Sequence, residues 1–264
     1  MRRYWLDTKY IHINPDTDMT GNEFTGTVEL TGESYHHIID VCRQDVGSKF
    51  EVLGYQDLAL LVKVTQVSKK NATAEIIANR HIPALPQPYI HIALCVPRFP
   101  VFEAVLEKSV ELGIKSIQPL VSDFSFVKKD LKLMTQKQDR WQKIVVSATQ
   151  QTGRSDLMEI EPARNLMEWI GGMLQQPHNH FVFAYEGEGK ETLRQNIERA
   201  KSQKIQHVWL VIGGEGGFSD QETAKLTELG LRPVTLGEQV LRVETACLAL
   251  ASILKYEWHL TEPV

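Results

Sequence analysis

Pro83, Pro86 and Pro88 fall within six residues of one another in the stretch RHIPALPQP. Proline fixes φ and removes a backbone donor, so neither a helix nor an interior strand can run through this stretch. It must be a connection, and the residue pattern changes across it. On the N-terminal side, GTVEL (26–30), KFEVLG (49–54), LALLVKVTQVS (58–68) and ATAEIIA (72–78) are short runs rich in Val, Leu, Ile and Thr, separated by turn residues. Such runs predict a small antiparallel β-barrel, interrupted by one helix around SYHHIIDVCR. On the C-terminal side, YIHIALCV (89–96), IQPLV (117–121), HFVFAY (180–185), VWLVIG (208–213) and PVTLG (233–237) alternate with helical stripes. That alternation predicts a largely parallel sheet, which takes ligands at the carboxyl ends of its strands. We therefore divide the chain into 1–78, a linker 79–88 and an α/β domain 89–264.

The helical stripes are specific. Phe102, Val105, Leu106 and Leu112 form one, stopped by Gly113, while Trp141, Ile144, Val145 and Ala148 sit at i, i+3, i+4 and i+7 of a second. A third helix starts at Ser219, with Glu222 three residues on as a capping box, and stops at Gly230.

With 42% hydrophobic and 23% charged residues in 264, the chain is neither disordered nor fibrous. No apolar run approaches the roughly 20 residues needed to span a bilayer, and MRRYWLDTKY lacks the apolar region of a signal peptide. A cytoplasmic protein with no membrane partner is expected. Cys42, Cys95 and Cys247 are far apart and form no CxxC pair, so neither a disulfide framework nor a metal site is expected. The net charge is -4, yet residues 79–154 carry 11 basic and 6 acidic side chains. Within them Lys128, Lys129, Lys132, Lys137, Arg140, Lys143 and Arg154 face only Asp130 and Asp139. This is a solvated helix face or a local site for a polyanion.

The densest chemical signal is VIGGEGGF (211–218), where a strand ends in four glycines before the capped helix. Glycines let the backbone turn sharply and offer N–H groups to a ligand, and a helix N-terminus favours negative charge. The spacing is neither GxGxxG nor GxxxxGK[ST], so it gives no specific support to a dinucleotide or P-loop site. The second signal is TLGEQVLRVETACLALASILKY (235–256), at the last strand-to-helix junction. Glu244 there is explained by the helix dipole alone. Arg242 is a cation at the positive end of a helix, and needs an anionic partner: Glu244, a ligand carboxylate or a phosphate.

IGGEGGFSDQE and LGEQVLRVETA, together with MRRYW, HHIIDVCRQDVGSKFEV, FEAVLEKSVELGIKSIQPLVS and RWQKIVVSATQQTGR, span nearly the whole chain. In this combination the sequence resembles the RsmE family of 16S ribosomal RNA uridine N3-methyltransferases, in the SPOUT superfamily. The resemblance implies an α/β SPOUT methyltransferase domain with a C-terminal trefoil knot, preceded by a PUA-like β-barrel for RNA. It also implies S-adenosyl-L-methionine as cofactor, 16S rRNA of the small ribosomal subunit as partner, and a homodimer. Carried onto this chain, the cofactor would be held by Gly213, Glu215, Gly217, Leu236, Gly237, Val240, Leu241 and Thr245. Arg242 and Glu244 would be catalytic, and Lys128, Lys129, Lys132 and Arg154 would bind RNA. Capping of a neighbouring helix is the other reading of Glu215. The chain departs from the family pattern at Gly214 (proline in the family), Gln239 (arginine), Asp123 and Phe124 (Glu-Arg) and Val101 (lysine). The rival readings are an RNA-binding or ribosome-assembly homologue with little catalysis, and a SPOUT methyltransferase acting at another RNA position.

Overall fold

The computed structural model describes residues 1–14, 25–127, 131–187, 189 and 191–262, with the backbone alone at 131 and 132. They group into two compact units, Met1–Ala84 with Thr149–Leu157, and Leu85–Ala148 with Met158–Val264.

The first unit holds β1 (Arg3–Trp5), β2 (Ile11–Ile13), β3 (Gly26–Thr31), β4 (Lys49–Tyr55), β5 (Leu58–Val67) and β6 (Asn71–His81) in one sheet of order β1-β4-β5-β6-β3-β2. Burial alternates along β3, where Val28 and Leu30 are buried and Thr27 and Glu29 are exposed. One face therefore closes on an apolar core that includes Phe50, Val52, Leu60, Val62 and Ala74, as a half-buried antiparallel sheet requires. The expected pattern is wholly antiparallel, but β1 runs parallel to β4, with Arg3 opposite Glu51. The chain passes through β2 and β3 between them, and that long crossover permits parallel pairing. The helix expected at SYHHIIDVCR is α1 (Gly32–Tyr35) continuing into a π-helical turn, His36–Val41, which buries Ile38. Thr149–Leu157 joins this unit through the Arg3 guanidinium, which donates to the Gln151 carbonyl at 2.9 Å, and the Trp5 N–H, which donates to the Gln150 side chain at 3.3 Å.

The second unit begins with β7 (Tyr89–Cys95), α2 (Phe99–Glu111), β8 (Ser116–Val121) and most of α3 (Leu131–Thr152). It continues with β9 (Glu159–Ile160), β10 (Arg164–Asn165), α4 (Leu166–Met173), β11 (Asn179–Ala184), β12 (Glu191–Thr192) and α5 (Leu193–Lys201). β13 (His207–Ile212), α6 (Asp220–Glu228), β14 (Pro233–Thr235) and α7 (Val243–Glu257) complete it. The sheet order is β10-β8-β7-β13-β11-β14-β12, with β9 also on β8, and every ladder is parallel. β8 is buried throughout, and β7 and β13 are buried after their first residue. Helices cover both faces, which explains why these strands read as unbroken apolar runs. On one face α7 packs against α2, β7 and β13. Trp141 of α3 meets Phe102 of α2 with ring centroids 4.6 Å apart.

Cys95 and Cys247 are buried and their thiols are pushed up to about 12 by desolvation, while Cys42 is half-buried. Among the described residues no helix is long and apolar enough to cross a membrane.

A buried histidine, paired with a second, sits among these strands. His91 of β7 is 6% exposed, its Nδ1 lies 2.7 Å from the Ser116 hydroxyl, its Nε2 lies 3.0 Å from His207 Nδ1, and its ring stacks on Trp209 at 4.3 Å. Burial first, then His207 and Lys115, push its pKa down to about 3. The unfolded chain binds a proton below pH about 6.5 and the folded one does not, so this site costs stability as pH falls from about 6.5 towards 3, by up to about 1.4 kcal/mol per pH unit. The urea midpoint is expected to drop between pH 7 and pH 5 in the wild type, and to drop less in His91→Gln.

Candidate functional site

The parallel register sets the carboxyl ends of three neighbouring strands side by side. Phe183 of β11 pairs with Val211 of β13, and Ala184 pairs with Val234 of β14. The segment after β13 turns back on itself, with the Gly217 N–H donating to the Gly214 carbonyl at 3.0 Å. A Cβ on Gly213 would lie 2.8 Å from Gly217 Cα, so two backbone segments approach more closely than side chains allow. Gly217 has φ +66, and a Cβ there would lie 2.7 Å from Glu186 Oε1. The loop leads into α6 through the capping box expected from sequence, in which the Ser219 hydroxyl accepts the Glu222 N–H at 3.2 Å and Glu222 accepts the Ser219 N–H at 3.0 Å.

The segment after β14 supplies the facing wall. The Thr235 hydroxyl donates to the Gly237 carbonyl at 2.9 Å and accepts the Gly237 N–H at 3.3 Å, holding Gly237 at φ +121. Leu236, Gln239, Val240 and Leu241 follow, and Arg242 caps α7 with extended backbone, φ -63 and ψ 155, and no capping bond from its side chain. The two segments and the end of β11 enclose a cleft of about 610 Å³, part of it open to solvent. Its place, at the carboxyl ends of parallel strands, is where such sheets take small molecules.

Gly213, Gly217, Leu236, Gly237, Val240 and Leu241 line this cleft together. Glu215 does not. Its carboxylate accepts the Arg98 N–H at 3.1 and 3.2 Å, capping the start of α2. Thr245 is exposed and lies outside the lining. Arg242 and Glu244 flank Val243, which lines the cleft; Arg242 is exposed and Glu244 half-buried, and among the described residues neither forms an ion pair. Tyr185 and Glu186, at the end of β11, also line the cleft and were not anticipated. Their signal was available, because HFVFAY is a strand and its carboxyl end is where such sheets take ligands.

Residues 84–255 match the RNA methyltransferase domain family. The chain belongs to this family. Within it, the sequence is 30% identical over 255 residues to ribosomal RNA small subunit methyltransferase E of Mesomycoplasma hyopneumoniae, covering 95% of this chain and 97% of that protein. The counterpart from Bacillus subtilis is 28% identical, with 98% of each chain covered. A provisionally assigned methyltransferase from Legionella pneumophila, solved in complex with the cofactor SAM, superposes with a TM-score of 0.80 at 25% identity over 97% of both chains.

Of the four basic residues expected to meet RNA, only Arg154 has a described side chain. Lys128 and Lys129 lie outside the described residues, as does the side chain of Lys132. Arg154 belongs to the first unit, where it is 9% exposed and its guanidinium pairs with Asp156 at 3.0 Å, so it offers a phosphate little surface. Arg140 is forked onto Glu103 by two hydrogen bonds of 2.7 Å.

The capping box also carries a longer-range bond, since the Ser219 hydroxyl donates to Asp123 Oδ2 at 2.6 Å. Ser219→Ala removes both contacts. It is expected to lower unfolding free energy by about 1 kcal/mol in urea titration, while Ser219→Thr stays near wild type.

Proposed function

We propose that this chain transfers a methyl group from S-adenosyl-L-methionine to N3 of a uridine in 16S rRNA of the small ribosomal subunit, acting as a homodimer in the cytoplasm. Methylation of ribosomal RNA is the common property named for its relatives. The observation that carries the reading is Arg242, an exposed cation without an ion pair among the described residues, set at the positive end of α7 between two residues that line the cleft. A helix start disfavours a cation unless an anion joins it.

The cleft suits the cofactor. Ile212, Leu236, Val240 and Leu241 give apolar walls, and Gly213 and Gly217 let the loop fold tightly at the cleft, where a Cβ would meet the Gly217 backbone or Glu186. Bound there, S-adenosyl-L-methionine supplies a methyl group already activated by its sulfonium charge. The protein's work is alignment and proton management. N3 of uracil carries an imide proton that must leave; Glu244 accepts it, and Arg242 holds the charge that spreads onto O2 and O4. Lys128, Lys129, Lys132 and Arg154 belong to the RNA face in this reading, Arg154 after release from Asp156.

The same reading takes the second unit as a SPOUT domain with a C-terminal trefoil knot. Its support is that β14 pairs on the far side of β11 from β13, yet the chain returns to set α7 on α2, β7 and β13. The first unit, a mostly antiparallel sheet around one apolar core, is read as a PUA-like barrel; β6 carries it to His81, so the linker expected at 79–88 begins only after that strand. Dimerisation is supported by α7, which buries Val243, Cys247, Leu250, Ala251 and Leu254 and leaves Ile253 37% and Tyr256 74% exposed.

Incubation with methyl-labelled S-adenosyl-L-methionine and small subunits lacking the modification is expected to yield labelled 3-methyluridine on nucleoside analysis. Label in another nucleoside would move the target, and no label despite cofactor binding would reject the catalytic reading. Gly217→Val should abolish cofactor binding in calorimetry while circular dichroism stays native; wild-type affinity would remove this cleft from the cofactor site.

A further inference from the structure

Phe124 and Phe126 are the two phenylalanines left largely in water among the described residues, at 50% and 55% exposure. They stand on a loop that is held at both ends and in its middle. The Ser122 N–H donates to the Ser125 hydroxyl at 2.9 Å, the Asp123 N–H to Glu222 Oε1 at 2.9 Å, and the Phe126 N–H to the Val96 carbonyl at 2.9 Å. The Ser125 hydroxyl donates on to the Leu120 carbonyl at 3.3 Å. A loop secured in this way keeps two apolar rings exposed as a fixed surface.

The place of that surface is specific. A Cβ on Gly216 would lie 3.0 Å from Phe124 Cβ, so Phe124 leans directly on the glycine loop whose residues Gly213, Gly214 and Gly217 line the cleft. Phe126 meets Phe99 edge-on at 5.5 Å, and the Lys137 ammonium lies 5.4 Å from the Phe99 ring centroid. Arg98, exposed at the cap of α2, adds a second cation beside Phe99. Exposed aromatic faces with flanking cations fit a single-stranded nucleic acid, whose bases stack while its phosphates are neutralised.

We propose that Phe124 and Phe126 form a stacking platform that receives an unpaired base of the RNA strand at the mouth of the cleft. The proposal rests on the RNA methylation reading, and it follows from the chemistry of that reaction. N3 lies on the edge of uracil used in base pairing, so the base that reacts is unpaired and separated from its stacking neighbours. An aromatic ring fixed beside the glycine loop replaces the lost stacking. Recognition by ring faces is tolerant of base identity, so the platform positions the strand and leaves the choice of uridine to the cleft.

The test uses the full chain and two fluorescent probes of equal length, a ribo-oligouridine and an abasic ribose-phosphate chain, titrated by anisotropy. The wild type is expected to prefer the oligouridine by roughly 5- to 150-fold, the range for stacking one base. Phe124→Leu with Phe126→Leu, which keeps apolar bulk and removes the ring faces, should erase that preference and leave abasic binding unchanged. Phe124→Trp should retain it. An unchanged preference in the leucine variant, or equal loss of both probes, would overturn the proposal, as would a change of oligomeric state assigning the rings to a protein interface. Calorimetry with S-adenosyl-L-methionine verifies that the cleft of each variant is intact. Base preference in a wild type that methylates no ribosomal subunit would keep the platform and discard the reaction. Methylation indifferent to both rings would do the reverse.

Discussion

The site depends on one buried carboxylate. Glu222 is 7% exposed, and it accepts N–H groups from Asp123 at 2.9 Å and Ser219 at 3.0 Å. A carboxylate removed from water is very unfavourable unless it is hydrogen-bonded, so both donors must stay in place for the ion to stay buried. Those donors follow β8 and β13, which are separated in the sheet by β7. Together with the Ser219–Asp123 bond, this side chain fixes two loops that the backbone ladders do not join. The exit of the glycine loop and the loop bearing Phe124 are set relative to each other by this ion, and disturbing either one exposes it.

The parts of the molecule legible in the sequence are those where one local rule acts without competition. The strands of the second unit are long apolar runs because both faces are covered, and the Ser219 capping box needs only residues three apart. β1 and β2, of three residues each, and β9, β10 and β12, of two each, are edge pieces too short to show any periodicity. The placement of Thr149–Leu157 with the first unit was equally hidden, because it rests on contacts between residues far apart in sequence, such as Arg3 of β1 and Gln151 of α3. The candidate site divides in the same way. The glycine loop and the loop after β14 announce themselves by composition. Which side of the glycine loop Glu215 serves is decided by Arg98, 117 residues away, and no local pattern carries that.

Charge shows the difference between counting and pairing. Residues 79–154 hold an excess of basic side chains, yet Arg140 is committed to Glu103, Lys108 to Glu111, and Arg154 to Asp156. A forked guanidinium with two hydrogen bonds has little left for a phosphate. Arg242 is the opposite case: one cation, in a chain of net charge -4, placed where the helix makes it uncomfortable and given no ion-pair partner among the described residues. For function, the environment of a charge matters more than the total.

The position of β13 in the sheet has a consequence for the order in which the molecule is made. β7 ends at Cys95 and lies between β8 and β13, and β13 begins only at His207. While the chain is being synthesised, β7 carries one open edge and an uncovered apolar face for more than a hundred residues, until β13 fills the gap and α7 covers it. Pairings of such wide sequence separation form slowly and leave strand edges open to foreign partners in the meantime. The nascent second unit therefore exposes a strand edge long after β7 has been made, whereas the strands of the first unit, which all end by His81, are complete before the second unit has a centre.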